Sequence, residues 1–167
     1  MFKQKLLLGA LLLTSTAAFA APAAPAANKS HNLYVGVGLS HNRVDFEPFK
    51  GDVETAGGMQ VFAGLKTGQR NGFDLAVEAG YMDTADFSHT NTDFSGIWFS
   101  GVGKRTISEV DNRLALLGRV GVDLGDDDGI FMGVGAEFKL APAVFVRGEY
   151  VAKDISQSYQ LNAGFEF

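Results

Sequence analysis

The chain has 167 residues, with 14 Lys+Arg against 19 Asp+Glu, 21 glycines and no cysteine. That length fits one domain, and a net charge of −5 excludes the basic footprint of a nucleic-acid binder. The lack of cysteine excludes disulfides, thiolate chemistry and a lipid-modified cysteine behind a leader, while a hydrophobic fraction of 46% argues against disorder.

Residues 1–20 read as a signal peptide. Lys3 and Lys5 precede an apolar run from Leu6 to Leu13, and Ala18-Phe19-Ala20 supplies a small-x-small cleavage site. A membrane anchor is the alternative, but Thr14, Ser15 and Thr16 break the run before it reaches spanning length. Residues 21–31 read as a flexible periplasmic lead-in and 32–167 as the folded domain. Export through the Sec pathway follows from the leader.

From Leu33 onward the pattern repeats with period two. Leu33, Val35, Val37 and Leu39 alternate with Tyr34, Gly36, Gly38 and Ser40, and Met59 to Leu65 alternate with Gln60 to Lys66. Phe73 to Tyr81 alternate with Asp74 to Gly80. A fourth segment, roughly Phe94 to Ser108, is ambiguous, because either Trp98 or its neighbours Ile97 and Phe99 can face outward. Leu114 to Leu124, Ile130 to Phe138, Val144 to Tyr150 and Tyr159 to Phe167 complete the set. No stretch carries a helical period.

Eight segments of about 9–12 residues, each long enough to cross a bilayer when tilted, predict an all-β fold. The expected architecture is an eight-stranded antiparallel up-and-down transmembrane β-barrel. Connections at Arg43–Ala56 and Asp83–Asp93 are expected to be long, and those at Thr67–Gly72 and Leu140–Ala143 short, the asymmetry of outer-membrane barrels. A soluble ligand-binding barrel also alternates, but it needs an apolar interior. Here one face mixes Gly36, Gly38, Gly64, Gly80, Gly121, Gly133, Gly135 and Gly164 with charges, and the other is almost uncharged, as lipid requires. Tyr81, Tyr150 and Tyr159 near one rim, with Phe73, Phe138, Phe165 and Phe167 near the other, read as interfacial girdles.

Parity assigns Lys66, Arg113, Arg119, Lys139 and Arg147 inward, against Asp74, Glu78, Asp123, Glu137, Glu149 and Glu166. Such near balance is what a core of paired charges requires.

Other chemistry finds little footing. Ser40-His41 near Asp45, and Ser88-His89 near Asp86, are the nearest approach to a Ser/His/carboxylate set, and neither shows an activated nucleophile. Asp126-Asp127-Asp128-Gly129 lacks the spaced ligands of a calcium loop and reads as a solvated acidic turn. No catalytic, cofactor-binding or metal site is expected, and the protein reads as a non-enzyme. The loop side is acidic, with only Arg43, Lys50 and Lys153 as cations. Phe46 and Phe49 are candidate contact residues there.

Three segments carry a family resemblance: Tyr159-Gln-Leu-Asn-Ala-Gly-Phe-Glu-Phe167, Arg147-Gly-Glu-Tyr150 and Leu33-Tyr-Val-Gly-Val-Gly38. The chain resembles the OmpA-type transmembrane barrels, including OmpX/Ail-like and opacity-type surface proteins, over about residues 32–167. The resemblance implies the bacterial outer membrane, without the peptidoglycan-binding domain of full-length OmpA. It marks Tyr159, Leu161, Gly164, Phe165 and Phe167 as the assembly signal. It also implies a lumen charge network of Glu78, Arg119, Glu137 and Arg147.

Implied partners are outer-membrane lipids and lipopolysaccharide, the barrel-assembly machinery with periplasmic chaperones during biogenesis, and an extracellular partner of unspecified identity. Expected function is support of envelope integrity and display of surface loops for adhesion or host interaction. The alternatives are a narrow gated ion-conducting pore and a lipid A-modifying enzyme.

Overall fold

A computed structural model describes residues 32–47, 52–87, 93–153 and 156–167. The expected signal peptide and lead-in lie outside these residues, as do Phe49, Lys50, Ser88 and His89.

Eight strands follow in chain order: β1 Leu33–Glu47, β2 Asp52–Arg70, β3 Phe73–Thr84, β4 Ser95–Thr106, β5 Leu114–Asp123, β6 Gly129–Ala141, β7 Val144–Ala152 and β8 Ser156–Glu166. Each pairs antiparallel with its sequence neighbour, and β1 pairs with β8 to close the barrel. Closure leaves no strand edge unpaired, which hydrocarbon demands of any sheet that crosses it.

Alternation sorts the side chains. On β1, Leu33, Val35, Val37 and Leu39 point out while Tyr34, Gly36, Gly38 and Ser40 are buried. Val37 is 59% and Leu39 65% exposed, and Met59, Val77, Val120, Met132 and Leu161 continue this apolar surface around the barrel. Such a surface is stable only against lipid.

Three expectations change. The connection read at Arg43–Ala56 is mostly strand, since β1 runs to Glu47 and β2 begins at Asp52. Period two persists there, with Asn42 and Val44 inward, but the outward positions turn polar at His41, Arg43 and Thr55. Strands that rise past the hydrocarbon lose the apolar outer face, so the sequence reads as loop. Next, β4 sets Trp98 inward and Ile97 and Phe99 outward, which settles its register. Finally, Arg113 is not a lumen residue. It precedes β5 in the 107–113 connection, its side chain 60% exposed and paired to Asp111 at 2.9 Å.

The connections at 71–72, 107–113 and 142–143 lie at one end with both ends of the barrel sequence, here the turn end. At the other end, the loop end, β1 runs on into β2, β3 into β4, β5 into β6 and β7 into β8. The length contrast does not hold at every hairpin, because 107–113 is longer than 124–128, the brief acidic turn. Asn71 (φ 52°) and Gly72 (φ 80°) both adopt positive φ, the mirror-image turn that a two-residue hairpin favours.

Candidate functional site

The lumen is packed in layers, and its glycines explain the aromatic layer. Tyr34 pairs across the strands with Gly64, Phe62 with Gly36, Trp98 with Gly80, Phe131 with Gly121 and Phe145 with Gly164. A methyl group added at Gly64 or Gly164 would come within 2.1 Å of the facing ring. At Gly36, Gly80 and Gly121 the distances would be 2.3, 2.4 and 2.5 Å. Each inward ring therefore lies flat over a glycine backbone on the neighbouring strand, the same device that aromatic rescue uses. The result is a ring of aromatics that narrows the barrel, with Met82 and Val151 in the same cluster.

Two guanidinium groups stand on those rings. Arg119 lies 4.3 Å from the Trp98 ring centre and 5.1 Å from Phe131. Arg147 lies 5.2 Å from Phe145, 5.6 Å from Phe62 and 5.9 Å from Tyr34. Stacking of this kind favours the planar guanidinium over an ammonium.

Carboxylates complete the layer. Arg147 donates through Nη1 to Glu78 Oε1 at 2.7 Å, and through Nε and Nη2 to Glu137 Oε2 at 3.2 and 3.0 Å. Tyr34 donates its hydroxyl to Glu78 Oε1 at 2.6 Å, and Lys104 Nζ donates to Glu137 Oε1 at 2.5 Å. Arg119 Nη1 donates to Glu149 Oε2 at 3.2 Å and Nη2 to Ser100 at 3.3 Å, while its nearest Glu78 oxygen is 3.9 Å away. Asn162 donates to Glu149 Oε1 at 3.0 Å and accepts from Gln60 at 2.7 Å. Glu78, Glu137 and Glu149 thus face Arg119, Arg147 and Lys104, three charges of each sign. Arg147 is 2% and Glu137 1% exposed, so the charges offset each other where little water reaches them.

The two ends differ. Toward the turn end a cavity of about 210 Å³ is lined by Lys66, Asp74, Lys104 and Lys139 and reaches inward to Tyr34, Glu137 and Arg147. There Glu166 accepts Lys66 at 2.8 Å and Lys139 at 3.3 Å. Toward the loop end the cavities shrink to about 20 Å³ each, room for about one water. Lys153 closes that side, reaching Asp123 at 2.5 Å and Asp127 at 3.3 Å, and Ser156 donates to Asp127 at 2.6 Å.

The structure brings Glu78, Arg119, Glu137 and Arg147 into one cluster, with Arg147 rather than Arg119 as the bridge between the first and third. It adds Lys104, Tyr34 and Glu149, which sequence reasoning left out of the network, and sets Lys153 apart on Asp123 and Asp127. Lys104 had a signal: it shares parity with Trp98, so an inward Trp98 implies an inward Lys104. Lys153 had none, being in a connection where parity says nothing.

The remaining candidates separate. Ser40 is buried and His41 exposed on the opposite face, so the two do not meet. The acidic turn is bound rather than merely solvated. Asp126 accepts from the Ser95 backbone and hydroxyl, and Asp127 meets Lys153 and Ser156. Arg113, through its hydrogen bonds, holds the Asp111 carboxyl below the usual range. Tyr159, Leu161, Phe165 and Phe167 all face outward, while Gly164 faces inward under Phe145. Phe165 and Phe167 contact each other at 5.7 Å, and Tyr159 contacts Tyr150 at 5.2 Å.

The family described as outer membrane protein beta-barrel domain matches residues 10–167. Among solved structures, Neisserial surface protein A is similar at 14% identity and a TM-score of 0.58, over 83% of this chain and 98% of that one. A de novo designed transmembrane β-barrel is similar at 18% identity and 0.53, over 83% and 98%. Ail of Yersinia pestis, solved with the heparin analogue sucrose octasulfate, is similar at 15% and 0.50, over 81% and 98%. No curated protein sequence matches the chain.

Proposed function

The chain belongs to the outer membrane protein beta-barrel domain family, and from that premise we propose that it is a closed, non-enzymatic barrel that braces the outer membrane and presents its loop end outside the cell. The turn end then faces the periplasm. One observation carries the reading: the lumen is filled at mid-height by Arg147, held between Glu78 and Glu137 over three aromatic rings. A buried core in which acids and bases face each other is a plug and a brace, and fold alone names no further role.

Deletion of the gene, with complementation, tests it. Loss of the protein raises sensitivity to bile salt or detergent and leaves lipid A acylation unchanged. Altered lipid A, checked by mass spectrometry, would replace the brace with an enzyme.

The partner that fits the loop end is cationic. Asp83, Asp86, Asp93, Asp126, Asp127 and Asp128 outnumber Arg43 and Lys153 there among the described residues. The Ail structure holds a polyanion; a surface of this charge repels one. A narrow gated pore is the second reading, favoured by the cavity of about 210 Å³ that reaches from the turn end to Glu137 and Arg147.

A further inference from the structure

On the lipid-facing rim at the turn end, two arginines flank one phenylalanine. Arg70 pairs with Phe73 across β2 and β3. Arg105 of β4 lies with its guanidinium 5.9 Å from the centre of the same ring. Both arginines are exposed, and Phe73 is 41% exposed.

Arg70 reaches this face through a bulge. Lys66 points inward, and plain alternation would send Arg70 inward too. The register shift between Lys66 and Gly68 reverses the parity. Gln69 then turns in, donating to Asp74 at 2.5 Å, and Arg70 turns out beside Phe73.

Charge sets this pair apart from the rest of the rim. Arg113 also stacks on an outward ring, Phe138 at 4.8 Å, but Asp111 neutralises it. Among the described residues, Arg70 and Arg105 have no carboxylate partner. Two uncompensated guanidinium groups at a lipid–water boundary attract phosphate, which arginine binds in bidentate fashion.

A path for a chain leads away from them. The row above Arg70–Phe73–Arg105 is Gly68–Leu75–Gly103, and the next is Leu65–Val77–Gly101. That row borders an open apolar groove that includes Ala63, Ala79 and Phe99. From Phe73 to Val77 is about 13 Å along the strand, within the roughly 15 Å depth of one leaflet.

We propose that this rim is a binding site for an anionic glycerophospholipid, its phosphate held by Arg70 and Arg105 and one acyl chain lying over Gly103 into the groove. Assignment to a glycerophospholipid rather than lipid A rests on the proposed orientation, with the turn end in the inner leaflet. The site would fix the barrel's depth and recruit a lipid shell of defined charge.

Native mass spectrometry of the folded barrel in detergent tests this, with phosphatidylglycerol, phosphatidylcholine of matched chains and lipid A offered separately. Retention of phosphatidylglycerol over phosphatidylcholine is expected, by on the order of tenfold. The R70Q/R105Q variant, shown folded by heat-modifiable migration, is expected to lose that preference, and R113Q to keep it. Equal retention of the two phospholipids by the parent, or an unchanged preference in R70Q/R105Q, would overturn the site. Arginine-dependent preference for lipid A over phosphatidylglycerol would overturn the assignment to a glycerophospholipid while leaving the brace reading intact.

Discussion

Arg147 and Glu78, one on β7 and one on β3, meet at 2.7 Å across the middle of the lumen. The strands are not neighbours, so this contact ties opposite walls of the barrel together. Glu137 takes two further hydrogen bonds from the same guanidinium, and removing Arg147 would leave both carboxylates facing each other.

Breaking a buried pair from one side typically costs about 3–5 kcal/mol. Arg147→Ala is therefore expected to destabilise the barrel by that amount in urea titrations in lipid vesicles. Adding Glu78→Gln is expected to restore part of the loss. A cost of about 0–1 kcal/mol, the value for an exposed pair, would mean that water screens the site.

The glycine–aromatic pairs give a test by overfilling. Gly164→Val puts side-chain atoms where the Phe145 ring lies, and overpacking of this kind costs about 1–3 kcal/mol. Combining it with Phe145→Ala is expected to cost less than the two changes summed, a coupling that folding titrations of the single and double variants would read.

Lipid-facing parity is tested on β3. Val77 points into hydrocarbon and Ala76 toward the lumen. Val77→Arg is expected to cost about 2–4 kcal/mol near the midplane, and Ala76→Ser little. Equal effects on vesicle folding would contradict the register.

Assembly is expected to depend on Phe167. Phe167 is outward, donates its backbone N–H to Leu33 at 2.9 Å and packs on Phe165. Deleting it, or Phe167→Asp, is expected to leave unfolded or degraded protein in the periplasm. Normal heat-modifiable migration from outer membranes of the truncated strain would remove Phe167 from the signal.

Strand count, order and most facings were readable from the sequence, because period two maps directly onto a two-faced sheet. It failed where that map breaks down. The extensions of β1 and β2 lost their apolar face above the bilayer, and the bulge at Lys66/Gly68 moved Arg70 to the outside. Three adjacent apolar residues, Ile97, Trp98 and Phe99, hid the register of β4 and with it Lys104. Charges on facing strands were readable as a set, but which pairs meet depends on stagger around the barrel. That is why Arg147 emerges as the bridge and Arg119 turns to Glu149. The glycine-under-ring pairing depends on cross-strand register in the same way.

Single-channel recording of the folded protein in planar bilayers tests the plugged lumen most directly. The parent is expected to pass almost no current, and Arg147→Ala, where it folds, to show openings. Steady conductance of small ions by the parent at neutral pH would contradict a lumen closed by Arg147, Glu78 and Glu137.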